Sequence, residues 1–107
     1  MTKVTLVVPA TQTAEKYAQM EDRLLRAAGG YTRYACTGGW VPSGKGVGSA
    51  VVEDNLAYVM MVRSKDVKKL KAVGEWAREA FGQEAVYFEV QDSAVTLIVR
   101  GKKGGRT

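Results

Sequence analysis

The sequence predicts an α+β fold, an antiparallel sheet with two helices packed on one of its faces. Three observations lead there. The apolar period switches between two and about 3.6 residues in the order strand, helix, strand, strand, helix, strand. A long hairpin, Tyr31 to Arg63, occupies the centre of the chain, around the turn stretch Pro42-Ser43-Gly44-Lys45-Gly46. Each helical segment has one apolar stripe, so each must cover a sheet face.

The first strand is Lys3 to Val8, with Val4, Leu6 and Val8 on one face and Lys3, Thr5 and Val7 on the other. Pro9 ends it, and Thr11 and Thr13 are candidate N-caps for the first helix. From Ala14 to Ala28 the period is helical: Tyr17, Met20, Leu24 and Ala28 share a stripe, and Gly29-Gly30 supplies the stop. Tyr31 to Val41 is rich in β-branched and aromatic residues and reads as the second strand.

Val47 to Arg63 is long for one strand. Glu53-Asp54-Asn55 interrupts its apolar pattern, which predicts a bulge, or else a hairpin turn at Asp54-Asn55. Leu56, Tyr58, Met60 and Val62 make one face, and Ala57, Val59, Met61 and Arg63 the other. Ser64 is the expected N-cap of the second helix, with Asp66 in its first turn. Val67, Leu70, Val73, Ala77 and Phe81 form its buried stripe, which ends at Gly82, and Trp76 falls at the margin. Glu84 to Gln91 alternates as a further strand. Val95, Leu97 and Val99 make an extra C-terminal strand after a turn at Asp92-Ser93.

Two right-handed strand–helix–strand crossovers put both helices on the same side. The result is a ferredoxin-like split βαβ sheet, extended at one edge by the extra strand. Residues 1–100 make the single domain and 101–107 a basic, disordered tail. The sheet face away from the helices carries Thr5, Val7, Val59, Met61 and Tyr87, an apolar set that calls for a cover. A homo-oligomer, most simply a dimer, or another protein would supply it.

Of sixteen basic residues, four lie in the C-terminal stretch as Arg100, Lys102, Lys103 and Arg106, with no acid among them. The rest of the chain, with twelve basic against eleven acidic residues, is nearly neutral. These four residues are the candidate nucleic-acid contact, because phosphate binding works by charge neutralisation. A lone cysteine, Cys36, rules out an internal disulfide and reads as a small core residue. No leader and no membrane-spanning stretch is legible, so a cytoplasmic location is expected, in the host if the gene is phage-borne.

The catalytic inventory is thin. There is no histidine, so no Ser–His or Cys–His pair can form, and the usual zinc sites are excluded. No metal or cofactor is expected. The stretch GWVPSGKG, Gly39 to Gly46, imitates a phosphate loop, but Gly46 replaces the Ser or Thr and a strand comes next where a helix is required. The aromatic RNA-binding signature is likewise missing from the LAYVMMVR strand. Candidate contact residues are Trp40 and Lys45 at the hairpin, Arg33 and Glu53 as an ion pair across it, and Arg63 with Tyr87 for a looser nucleic-acid contact.

The run Gly38-Gly39-Trp40, Glu53 on the next strand, a helix, and then FGQEAVYFEV from Phe81 to Val90 resembles small α+β proteins carried by phages and plasmids. The resemblance covers residues 30–91. It implies an accessory protein of a mobile element that blocks or sequesters a host factor. The expectation is therefore a non-enzymatic, oligomeric binding protein. The alternatives are a nucleic-acid binder using the tail and exposed aromatics, and a small enzyme of the dimeric α+β barrel type.

Overall fold

The structure is a computed structural model that describes residues 1–92. The expected strand Val95 to Val99, Ser93 of the turn before it and the basic stretch Arg100 to Arg106 lie outside the described residues. The elements are β1 (Thr2–Pro9), α1 (Ala14–Ala28), β2 (Thr32–Trp40), β3 (Val51–Val62), α2 (Val67–Ala80) and β4 (Tyr87–Gln91). The four strands form one sheet in the order β2-β3-β1-β4, every neighbouring pair antiparallel. This is the split βαβ plan.

The helix-facing side of the sheet is the core. Val4, Leu6 and Val8 of β1 and Tyr58, Met60 and Val62 of β3 are buried there against Met20 and Leu24 of α1 and Leu70, Val73 and Ala77 of α2. The helices meet each other edge to face through Tyr17 and Phe81, ring centroids 5.5 Å apart. Gly74 is buried where α2 faces the sheet, and a Cβ there would be in ordinary contact with Phe88 at 3.4 Å and Leu6 at 3.7 Å.

The helix ends obey the chain chemistry. The Thr13 hydroxyl accepts from the Lys16 N–H at 3.3 Å, an N-cap bond. Gly29 closes α1 at φ +82°, its N–H donating to the Leu25 carbonyl at 2.9 Å. Beyond α2, Gly82 takes φ +65° and the Gln83 N–H donates back to the Arg78 carbonyl at 2.8 Å. The Lys16 ammonium donates to the Ala80 carbonyl at 2.6 Å, which satisfies one of the carbonyls that a helix C-terminus leaves free. Trp76 does sit at the margin, half-buried, with the Arg23 guanidinium 4.4 Å over its ring.

Three local expectations give way. No bulge or turn interrupts β3: Trp40 to Thr32 pair one-to-one with Val51 to Val59, and Asn55 also pairs with Pro9 on the other side. The polar run Glu53-Asp54-Asn55 is tolerated because this end of the sheet reaches past the helices. The strand begins at Val51, since Val47–Ser49 forms a short 3₁₀ turn. Ser64 does not cap α2. It lies in a 3₁₀ turn, Ser64–Asp66, and its hydroxyl shares a 3.0 Å hydrogen bond with Thr2.

The face away from the helices carries Lys3, Thr5, Val7 and Pro9 of β1 beside Val51, Glu53, Asn55, Ala57, Val59 and Met61 of β3, as the one-to-one register dictates. β2 adds Tyr34, Cys36, Gly38 and Trp40, and β4 adds Tyr87 and Glu89. The expected set Thr5, Val7, Val59, Met61 and Tyr87 is therefore on this open face. Cys36 is there too, half-buried opposite Asn55, so it is not a core residue.

Candidate functional site

The open face ends in a cleft of about 870 Å³. Its floor is β1, at Val7 and Pro9. On one side stand β2 and β3, contributing Gly38, Trp40, Glu53 and Asn55. On the other stands the segment entering β4, from Gln83 to Tyr87. The strand order puts β1 between the two walls, so each wall brings one aromatic ring and one carboxylate: Trp40 with Glu53, and Tyr87 with Glu84.

The β2 wall depends on a close approach. A Cβ on Gly38 would lie 2.5 Å from the Asn55 side-chain amide. With its amide turned to suit its neighbours, Asn55 accepts from the Gly38 N–H at 3.3 Å and donates to the Asp54 carbonyl at 3.2 Å. Asn55 is thus satisfied by backbone, although it is only 9% exposed, between Pro9 and Cys36 on the neighbouring strands. Trp40 and Tyr87 remain 45% and 56% exposed, large rings with one side free. The Tyr87 hydroxyl is raised above the ordinary tyrosine value, first by hydrogen bonding to the Glu89 carboxylate and then by burial.

Three of the residues singled out from the sequence, Trp40, Glu53 and Tyr87, meet in this cleft. The others do not. Arg33 does not pair with Glu53. The register sets Arg33 opposite Tyr58 on the helix side and Glu53 opposite Gly38 on the open side. Arg33 instead donates to Glu21 at 2.7 Å, and the Tyr58 hydroxyl donates to the same oxygen at 2.7 Å. Burial pushes the Glu21 carboxyl up. Hydrogen bonds from the Tyr58, Tyr31 and Arg33 side chains and the Arg33 charge outweigh it and hold that carboxyl below the usual range. Arg63 lies 3.6 Å from Asp66, far along the chain from Tyr87. Lys45 is exposed in the Pro42–Lys45 turn, outside the cleft lining. Arg100, Lys102, Lys103 and Arg106 fall outside the described residues.

Sequence reading missed Gly38 with Asn55, and it gave Glu84 no role, since Glu84 and Glu89 do not read as an acid–base couple. A glycine pair inside a strand is the signal that could have found the first, because it marks a close approach of another group. Glu84 carries no such signal, since it becomes a wall residue only through the strand order.

No protein-family model matches the chain, and no curated protein matches it. Solved structures do. A phage S-adenosylmethionine (SAM) lyase in complex with S-methyl-5'-thioadenosine superposes with a TM-score of 0.67 at 21% identity, over 85% of this chain and 80% of that one. CutA1 from Pyrococcus horikoshii gives 0.66 at 13% identity, over 91% and 87%. The GlnK–ATP complex of B. subtilis gives 0.66 at 14%, over 87% and 82%. The chain shares the fold of these proteins. No group of three or more His, Cys, Asp or Glu suited to a metal occurs among the described residues, and no helix there is long and apolar enough to cross a membrane.

Proposed function

We propose that the chain forms a homo-oligomer and binds an adenosine-bearing small molecule in the cleft at the end of its open sheet face, with S-adenosylmethionine as the ligand and its cleavage as the reaction. The observation that carries this reading is the meeting of Trp40, Tyr87, Glu53 and Asn55 in one cleft of about 870 Å³, a size suited to a nucleoside with a side chain. Two exposed rings offer a stacking surface for adenine. Two proteins of the same fold, the phage SAM lyase and GlnK, are described with adenosine-bearing ligands, which supports the ligand class.

The thin catalytic inventory is compatible with this reaction. A sulfonium leaves as a neutral thioether and needs no acid. When S-adenosylmethionine yields S-methyl-5'-thioadenosine, the bond between sulfur and the γ-carbon breaks and both electrons stay on sulfur. The substrate's own carboxylate can take over the γ-carbon by closing a five-membered lactone, so no proton has to move. The protein then has to hold a folded conformer and exclude water, which is catalysis by orientation. A chain with no histidine can do that.

The oligomer is inferred from Val7, Val59 and Met61, half-buried apolar residues on a face that no described element covers. A phage or plasmid accessory role fits the sequence resemblance and the phage origin of one structural neighbour. A second reading keeps the site and drops the turnover, making the protein a sequestering binder. It is favoured by the cleft lining, which holds carboxylates but no general base of the histidine or cysteine kind.

Incubating the full chain with S-adenosylmethionine and monitoring the products by mass spectrometry decides between them. The reading expects S-methyl-5'-thioadenosine with homoserine lactone, and loss of both on Trp40→Ala with Tyr87→Ala. Retention of intact ligand without turnover selects the sequestering binder. No binding of either adenosyl compound overturns both.

A further inference from the structure

The cleft is negative although the part of the chain that builds it is nearly neutral. Outside the C-terminal stretch, twelve basic residues stand against eleven acidic ones. The fourteen described residues lining the cleft include Glu53 and Glu84 and no lysine or arginine. Of the basic residues near it in sequence, Arg33 is held by Glu21 at 2.7 Å on the other face, Arg78 lies 3.6 Å from Glu75 and from Glu79, and Lys45, two residues beyond Ser43, is exposed outside the lining. The two carboxylates stand one on each wall, Glu53 half-buried in β3 and Glu84 exposed ahead of β4, and each shares its wall with an aromatic ring.

We propose that Glu53 and Glu84, with Trp40 and Tyr87, make the cleft a charge filter that holds a cationic adenosyl ligand, rejects adenosine phosphates and lets a neutral adenosyl thioether go. This rests on the adenosine reading of the site and adds what that reading leaves open, the selectivity and the order of release. A cation between the walls is attracted by both carboxylates and by the electron-rich faces of both rings. A phosphate chain in the same place meets two negative groups and no cation from the described lining. When the bond from sulfur to the γ-carbon breaks, the electron pair that stays on sulfur cancels the sulfonium charge. The adenosyl fragment thereby loses the part of its binding that depended on charge, while its adenine contacts are unchanged. Product release is then driven by the chemistry itself, and Glu53 and Glu84 are specificity-determining residues for it.

The experiment compares three probes that share adenosine, by titration calorimetry on the full chain at low salt. They are sinefungin, which carries an ammonium in place of the sulfonium and cannot be cleaved, S-methyl-5'-thioadenosine, which is neutral, and ATP. In the wild type sinefungin should bind at least tenfold tighter than the thioether, and ATP weakest. In Glu53→Gln with Glu84→Gln the ratio of sinefungin to thioether affinity should fall to within about threefold, and ATP should gain. Raising salt should shrink the wild-type ratio and leave that of the double variant nearly flat. Thermal melting shows whether the variant is folded, and the two single substitutions carry the test if it is not. A wild-type ratio near one, or a ratio that survives both substitutions, overturns the charge filter while leaving the adenosine site standing. Failure of all three probes to bind removes the adenosine reading and the filter with it.

Discussion

Gly38 has no room for a side chain, because the Asn55 amide stands 2.5 Å from where its Cβ would be. Gly38→Ala must push Asn55 off the backbone groups it satisfies, at a cost of about 1–3 kcal/mol for a buried polar group left without its partners. Gly39→Ala is the matched control, since its nearest neighbour would be the Val51 carbonyl at an ordinary 3.7 Å. Chemical denaturation of the two variants should separate them, and equal stabilities would show that Asn55 moves freely. A second residue-scale prediction concerns Glu21, which joins α1 to Arg33 and Tyr58. Its folded-state pKa is lowered, so its contribution to stability is present above the ordinary carboxylate range and is lost as pH falls through the lower folded value. Glu21→Gln should destabilise at pH 7, and the gap to wild type should close on acidification below about pH 4. A gap that is the same at pH 7 and pH 3 would show that the charge contributes nothing.

At the scale of elements, the core was legible because burial and period agree: Val4, Leu6 and Val8 alternate into it, and Tyr17, Met20 and Leu24 repeat into it. The α1 boundaries were legible because Thr13 and Gly29 carry local chemistry that fixes them. What failed was local polarity read as local structure. Glu53-Asp54-Asn55 looks like an interruption, yet β3 runs through it, since the pairing with β1 and β2 is decided by partners distant in sequence. The hydroxyl of Ser64 is taken by Thr2, 62 residues away, which a cap rule cannot see. Gly82 is the element-scale prediction. At φ +65° an alanine is strained by about 1 kcal/mol or more, so Gly82→Ala should lower the melting temperature by several degrees. An unchanged melting curve would mean that the link into β4 can take another conformation, and with it the wall that carries Glu84.

For the whole molecule, the sequence made the open apolar face visible and the cleft invisible. Alternation assigns Val7, Val59 and Met61 to one side of their strands, but only the order β2-β3-β1-β4 brings Trp40 and Tyr87 to opposite walls over β1. Met61→Lys places a charge on the face that a second copy is expected to cover, and sedimentation should show monomer where the wild type is an oligomer. A wild-type monomer at high micromolar concentration would leave the open face without its expected cover. Native mass spectrometry of the full chain mixed with sinefungin, which cannot be cleaved, reads assembly and ligand retention at once. The expected species is a homo-oligomer retaining one adenosyl compound per chain, and a monomer, or an oligomer with no added mass, would contradict it.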